Sequence, residues 1–200
     1  MCSSDLNGHH VLRNGCVIID GSEIQHVGKD YDGSVDAVVD AGDRVVTPGF
    51  INTHCHMAGS PLDKSFIEDV GSRQFYLSGL PTMLKARGGA MTDTDRRACV
   101  DYSAAELIQT GTTTVMELGG IGDYVADAIE QAGLRAYIAD MYSSASWVSI
   151  NCKQVGYEWD EALGIEGFRK AVKLIERIDG RANGRRDRKS TRLNSSHKPI

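Results

Sequence analysis

Two histidines, His54 and His56, are the residues whose type and spacing best suit chemistry. Residues 50–56 read as a β-strand that begins after Pro48-Gly49, a tolerable place for proline. Because side chains alternate across a strand, we expect both imidazoles on one face and Cys55 on the other, packed against a helix. Two imidazoles placed in this way can bind one metal ion through nitrogen. The spacing therefore makes a two-histidine metal site the first hypothesis.

Composition excludes several other classes of protein. The chain has 200 residues, of which 41% are hydrophobic and 24% charged, as is typical of a globular domain. It contains no apolar run of the roughly 18–20 residues that span a bilayer, and its start lacks a secretory signal pattern. A formal net charge of -5 argues against a nucleic-acid binder with a basic surface. Five cysteines without a CxxC pair favour reduced thiols, so we expect a cytoplasmic location and no membrane partner.

Both ends of the chain resemble translated DNA of a sequencing adapter. The stretch DRKSTRLNSSH, residues 187–197, resembles the translation of a common sequencing adapter, and the reverse complement of that DNA encodes the N-terminal MCSSDL. We therefore interpret residues 1–6 and 187–200 as adapter-derived and exclude them from inference about the fold.

The secondary structure predicted around the histidines differs between the first part of the chain and the rest. From residue 10 to residue 46, short β-rich runs are separated by turns such as Asp20-Gly21, which predicts strands at residues 17–19, 23–27 and 37–39. Residues 57–91 read as irregular. A stretch of this length in a compact domain is usually functional or contains short helices.

Strands and helices then alternate. Thr92 with Asp95 predicts a capping box at the start of a helix, and Gly133 predicts the end of another. The predicted strands are 112–118 and 134–139, and a last helix carries an apolar face from 168 to 178. Such alternation implies a parallel sheet.

The residues around the histidines also resemble a known family. VTPGFINTHCHM, residues 46–57, closely resembles the metal-binding signature of the amidohydrolase superfamily, best in its cytosine deaminase, guanine deaminase and triazine chlorohydrolase branch. Residues 106–115 resemble that family's first barrel helix and second strand, and residues 128–139 its second helix and third strand. The resemblance covers nearly all of residues 7–186.

The resemblance implies a fold of the α/β class. Residues 46–186 would be part of a (β/α)8 TIM barrel, about its first three βα units, and residues 7–45 part of a small N-terminal β-sandwich. With about three of eight strands, the chain alone is expected to be unstable and inactive.

It also implies an activity, the hydrolysis of carbon–nitrogen bonds other than peptides. His54 and His56 would be ligands of a divalent metal, zinc or alternatively iron, which activates water to deaminate a small nitrogen heterocycle. The family's other ligands and its general acid would lie on later strands, so the number of metals stays open. A cyclic amide hydrolase of imidazolone or hydantoin type and a non-catalytic scaffold of the same fold remain alternatives. The full-length protein could form homo-oligomers.

Two acidic residues are further candidates for the site. Glu117 ends the second predicted strand and Asp140 the third, so either could bind substrate in the pocket. A solvated acid at the end of a strand is the alternative for both, and Tyr142 shares this ambiguity.

The remaining candidates have ordinary structural interpretations. Core packing is favoured for Trp147 and Trp159 over a wall for a flat ring, and a surface loop is favoured for Asp63, Lys64 and Phe66. Residues 119–122, GGIG, lack the last glycine of a dinucleotide-binding loop and are interpreted as a turn. His9, His10 and His26 are not expected to be ligands.

Overall fold

The computed structural model describes residues 2–5, 8–66, 80–150 and 154–181. It divides into two compact units, Met1–Gly49 and Phe50–Ile200. The predicted adapter-derived segment 187–200 lies outside the described residues. No helix in the described ranges is long and apolar enough to cross a membrane.

The N-terminal unit contains two antiparallel hairpins, β1–β2 and β3–β4. Their strands are β1 (Cys2–Asp5), β2 (Gly8–Val11), β3 (Cys16–Asp20) and β4 (Glu23–Gly28). The predicted turn after Asp20 is present, with Gly21 at a φ of 58°. Backbone pairing of residues 2–5 does not bear on their origin, so the adapter interpretation stays a prediction.

The strand predicted at residues 37–39 is wrong. Residues 29–49, all of them described, form neither helix nor strand, and Val38 and Val39 are 81% and 88% exposed. β-branched residues form a stable strand when a partner and a buried face are available, and these valines have neither within the described residues.

The second unit is built on a three-stranded parallel sheet in the order β5–β6–β7. Its elements in chain order are β5 (Phe50–Cys55), α1 (Ser60–Phe66), α2 (Leu80–Ala90), α3 (Asp93–Gln109), β6 (Thr112–Gly119), α4 (Gly122–Ala132), β7 (Arg135–Asp140), β8 (Ala145–Ile150), β9 (Gln154–Trp159) and α5 (Glu161–Ile178). The parallel sheet inferred from strand–helix alternation is confirmed. The barrel and the N-terminal sandwich remain predictions.

The hydrophobic core lies between one face of this sheet and the helices. Val115 of β6, Val100 of α3 and Ile129 of α4 are fully buried there, and Leu174 of α5 is 1% exposed. Each such side chain contributes roughly 1.5–3 kcal/mol relative to an exposed position. This packing fixes the carboxyl ends of the strands, where the histidines lie.

Two predicted helix boundaries are confirmed. Thr92 caps α3, since its side chain accepts a hydrogen bond from the Asp95 amide while the Asp95 carboxylate accepts one from the Thr92 amide. α4 ends at Gly133, whose φ of 73° lies in the left-handed region that glycine tolerates best.

Two segments differ from the sequence prediction. One is an antiparallel hairpin, β8–β9, which follows β7 and was not predicted. Residues 57–91, by contrast, contain the short helices α1 and α2, which the sequence interpretation allows. α5 begins at Glu161, about two turns earlier than its apolar face indicates, with Asp160 capping it through the Leu163 amide. Gly164 and Gly167 weaken the helical pattern, yet the structure needs them. A Cβ at either position would overlap or closely contact Ser144 or Tyr142.

Candidate functional site

The two histidine side chains converge at the carboxyl end of β5. Their Nε2 atoms are 2.9 Å apart, and their rings meet edge to face at 74°. The strand is irregular between Asn52 and Cys55, and the Asn52 Oδ1 accepts a hydrogen bond from the His54 amide. Cys55 is buried on the opposite face, as the alternation of side chains predicts.

This spacing suits a shared metal ion. Tetrahedral zinc with Zn–N bonds of about 2.0–2.1 Å holds two nitrogens about 3.3 Å apart, so the rings would need to separate by about 0.4 Å to share an ion. Burial lowers the pKa of His56, which favours the neutral imidazole that a metal ligand must be. The described residues contain no group of three or more His, Cys, Asp or Glu side chains that could hold a metal.

Both imidazoles line a cavity of about 780 Å³. This volume lies in the range of small-molecule sites. Leu118 and Ala139, from the ends of β6 and β7, contribute apolar surface beside the histidines. Three side chains from other elements also line the cavity: Arg87 of α2, Arg96 of α3 and Trp147 of β8.

Asp63 also lines this cavity, where it forms an ion pair with Arg87. The guanidinium lies close to the turn after the histidines, because a Cβ at Gly59 would be 2.7 Å from its Nη1. Lys64 instead points to α3 and binds Glu106. The surface-loop interpretation of Asp63, Lys64 and Phe66 is therefore wrong, since all three belong to α1.

Glu117 lies on the other face of the sheet, contrary to the predicted position in the pocket. It pairs in register with Cys55, and that register directs its side chain toward the helices. It is 1% exposed, and its Oε2 accepts a hydrogen bond of 2.9 Å from the Met57 amide. Burial raises the pKa of Glu117 to about 7, while the Met57 amide and the Cys55 thiol oppose this shift in part.

Asp140 is also turned toward the helices. Its carboxylate accepts a hydrogen bond from the Gly122 amide at the start of α4, and burial raises its pKa. Its neighbours Ala139 and Met141 line the cavity instead. Tyr142 packs its ring edge to face against Phe168 of α5. The placement of Asp140 thus gives no support to a substrate contact.

The two tryptophans lie on the β8–β9 hairpin, and the prediction of core packing is wrong for both. Trp147 is 49% exposed and lines the cavity, while Trp159 is 60% exposed and lies beside Tyr157. Sequence reasoning also missed Arg87 and Arg96. The only signal in the sequence was their position, because both arginines follow the histidine strand and lie near the ends of helices.

A short turn joins β6 and α4, as the sequence interpretation expects, but packing rather than backbone freedom explains its glycine at position 122. Gly119 and Gly120 line the cavity, and Ile121 adopts a left-handed φ of 55°. A Cβ at Gly122 would overlap Leu174 and lie 2.7 Å from the Asp140 Oδ1. The glycine there is needed for close packing of α4 against its neighbours.

Comparison with known proteins places this geometry in a family. The amidohydrolase family matches residues 45–193. The 5'-deoxyadenosine deaminase of Methanococcoides burtonii is 28% identical over 174 residues, which cover 87% of this chain and 36% of that protein. The 5-methylthioadenosine/S-adenosylhomocysteine deaminase of Thermococcus sibiricus is 30% identical over 167 residues, 81% of this chain and 35% of that protein. The enzyme of the same name from Thermococcus kodakarensis is 32% identical over 123 residues, which cover 62% of this chain and 28% of that protein.

The chain thus spans about a third of the length of the curated relatives it matches. The family match itself covers most of the chain and includes the histidine strand, the three-stranded sheet and α5. The chain belongs to the amidohydrolase family.

Proposed function

We propose that this chain is the metal-binding N-terminal part of a larger hydrolase that removes an amino group from a small nitrogen heterocycle. In this proposal residues 46–186 belong to a (β/α)8 barrel and residues 7–45 to a β-sandwich, and the chain alone is inactive. The names of the relatives make an adenine nucleoside the first substrate to test.

One observation carries the proposal: the Nε2 atoms of His54 and His56 converge on one side of a cavity large enough for such a molecule. A divalent cation held there, zinc or iron, supplies Lewis-acid activation of water. The two imidazoles would hold it, and the apolar surface of Leu118 and Ala139 would limit water beside the reacting carbon.

Trp147 supports a flat, ring-shaped substrate. Its side chain is half exposed at the cavity, where an indole can stack on a heterocycle. Arg87 is held in place by its ion pair with Asp63, so a guanidinium is available near the histidines for a polar group of the substrate.

The test measures metal content and ammonia release on the longest reading frame that contains this chain. We expect replacement of His54 and His56 by alanine to abolish both. His26→Ala is the matched control, because His26 lies on β4 in the other unit, and it should retain both. Retained metal and turnover in the double variant would refute the proposal.

The choice of substrates separates the alternatives. Ammonia release from 5'-deoxyadenosine or methylthioadenosine supports deamination, whereas ring opening of a hydantoin or imidazolone would replace it with cyclic amide hydrolysis. Trp147→Ala should raise KM for the aromatic substrate by about threefold to tenfold, the worth of one aromatic contact. Trp147→Phe should restore most of this loss.

A further inference from the structure

Two buried polar side chains hold the backbone of Met57, the residue that follows His56. The Met57 amide donates to Oε2 of Glu117 over 2.9 Å, and the Met57 carbonyl accepts from Oγ of Ser103 over 3.1 Å. Glu117 is 1% exposed and Ser103 4%, and Met57 is fully buried. The two partners come from β6 and α3, far from Met57 in sequence. Separate elements thus meet at one residue.

The position of Met57 explains why side chains are needed. β5 ends at Cys55, so Met57 lies beyond the ladder of backbone hydrogen bonds to β6. A buried N–H or C=O without a partner costs free energy, so such groups are paired in native structures. Glu117 and Ser103 supply the partners that the strand no longer provides.

The carbonyl of His56 is held as well. It accepts hydrogen bonds from the amides of Gly59 and Ser60 and from Oγ of Ser60, at 2.8–3.1 Å. The backbone after the second histidine is therefore fixed by α1, β6 and α3 together. Neither Glu117 nor Ser103 is among the described residues that line the cavity, so their influence on the site must pass through the backbone.

We propose that Glu117 and Ser103 are positioning residues that set the orientation of the His56 imidazole relative to His54. The inference rests on the proposed function, because it assumes that the two imidazoles share a metal ion. Metal–ligand distances tolerate deviations of about 0.2 Å. A small rotation of the peptide after His56 would exceed this at Nε2, since the imidazole extends several bonds from the backbone.

The test uses cobalt(II) as a spectroscopic probe on the longest reading frame that contains the chain, prepared without metal. Glu117→Leu removes the acceptor, Ser103→Ala removes the donor, and Glu117→Gln keeps an acceptor of the same shape. Outer partners of metal ligands typically contribute about tenfold to 100-fold to affinity. We expect losses in this range, with an altered visible spectrum, for Glu117→Leu and Ser103→Ala. Glu117→Gln should stay within about threefold of the original protein.

Two control variants separate positioning from general damage. Thr113→Val removes a hydroxyl bond to the carbonyl of Phe50, at the opposite end of β5 from the histidines. Ile129→Val removes a methyl group from the core of α4. Both should leave cobalt affinity and spectrum unchanged. If Glu117→Leu does not fold, Ser103→Ala gives the result, because it deletes one oxygen atom.

Amide exchange provides a readout independent of metal. The peptide containing Met57 should exchange faster in Glu117→Leu and Ser103→Ala than in the unaltered apoprotein, and Thr113→Val should leave it unchanged. Cobalt binding that depends on both histidines but is unaffected in Glu117→Leu and Ser103→Ala would overturn the inference alone. Absence of binding by the unaltered protein, or binding without the histidines, would overturn the proposed function and the inference with it.

Discussion

Replacing Glu117 with glutamine should change how the stability of the protein depends on pH. The folded-state pKa of Glu117 is about 7, raised chiefly by burial from an ordinary value of 4.5. Between these two pKa values the folded state keeps a proton on Glu117, whereas the unfolded state has released it. The contribution of Glu117 to stability is therefore fully present below pH 4.5 and is lost as the pH rises toward and through 7.

The size of the effect follows from the two pKa values. A difference of about 2.5 units corresponds to about 3 kcal/mol, at about 1.4 kcal/mol for each unit. Between pH 4.5 and 7 the free energy of unfolding should thus fall by about 1.4 kcal/mol per pH unit through this residue. Glutamine has no proton to lose and keeps an acceptor for the Met57 amide, so the variant should lack this component.

Urea unfolding of the longest reading frame that contains this chain, followed by circular dichroism with chelator present, measures the free energy of unfolding from pH 4 to pH 8. Relative to the original protein, Glu117→Gln should gain about 3 kcal/mol across this range, because other titrating groups cancel in the difference. Glu176→Gln, at an exposed position on α5, controls for the change of residue type. Parallel curves for Glu117→Gln and the original protein would refute the reasoning, since they would mean that this carboxyl titrates alike in both states.

Three further changes test the packing of the second unit by the same unfolding measurement. Thr92→Ala removes the cap of α3 and should cost about 1 kcal/mol, whereas Thr92→Ser should cost little; equal losses would contradict the capping role. Gly122→Ala places a Cβ against Leu174 and should cost about 1–3 kcal/mol, and a neutral result would show that the two elements pack less closely. Ile129→Ala empties a fully buried position and should cost about 2–5 kcal/mol, while a loss below about 1 kcal/mol would count against the core assignment.

Local sequence signals predicted the parts of the fold that depend on neighbouring residues. The capping box at Thr92 and the glycine after α4 need only a few residues of context, and both boundaries are as expected. The alternation of strands and helices predicted the parallel sheet, because crossovers leave few other topologies. The convergence of His54 and His56 likewise follows from side-chain alternation, which continues one residue beyond the end of β5.

The missed features depend on contacts between distant segments. The early start of α5 was hidden by Gly164 and Gly167, whose cost in a helix is offset by close approach to residues before β8. Trp147 lines the cavity because it lies on the β8–β9 hairpin, and no local pattern in the sequence predicted that hairpin. Short helices were expected within residues 57–91, but the glycines and prolines there obscured the bounds of α1 and α2.

Register explains why strand ends were the hardest positions to interpret. Glu117 and Asp140 lie at the ends of neighbouring parallel strands, as a site acid would, yet both face the helices. The side a residue faces changes with one step along the strand, so Leu118 and Ala139, each adjacent to an acid, line the cavity instead. The two faces of the sheet thus differ in role: one presents the histidines, and on the other the buried Glu117 and the partly buried Asp140 accept hydrogen bonds from backbone amides. Glu117 bonds to Met57 and Asp140 to Gly122, in each case just beyond a strand end, where ladder hydrogen bonds have stopped. For an acid at the end of a parallel strand, a hydrogen bond to a backbone amide of a nearby turn should therefore be considered before a contact with substrate.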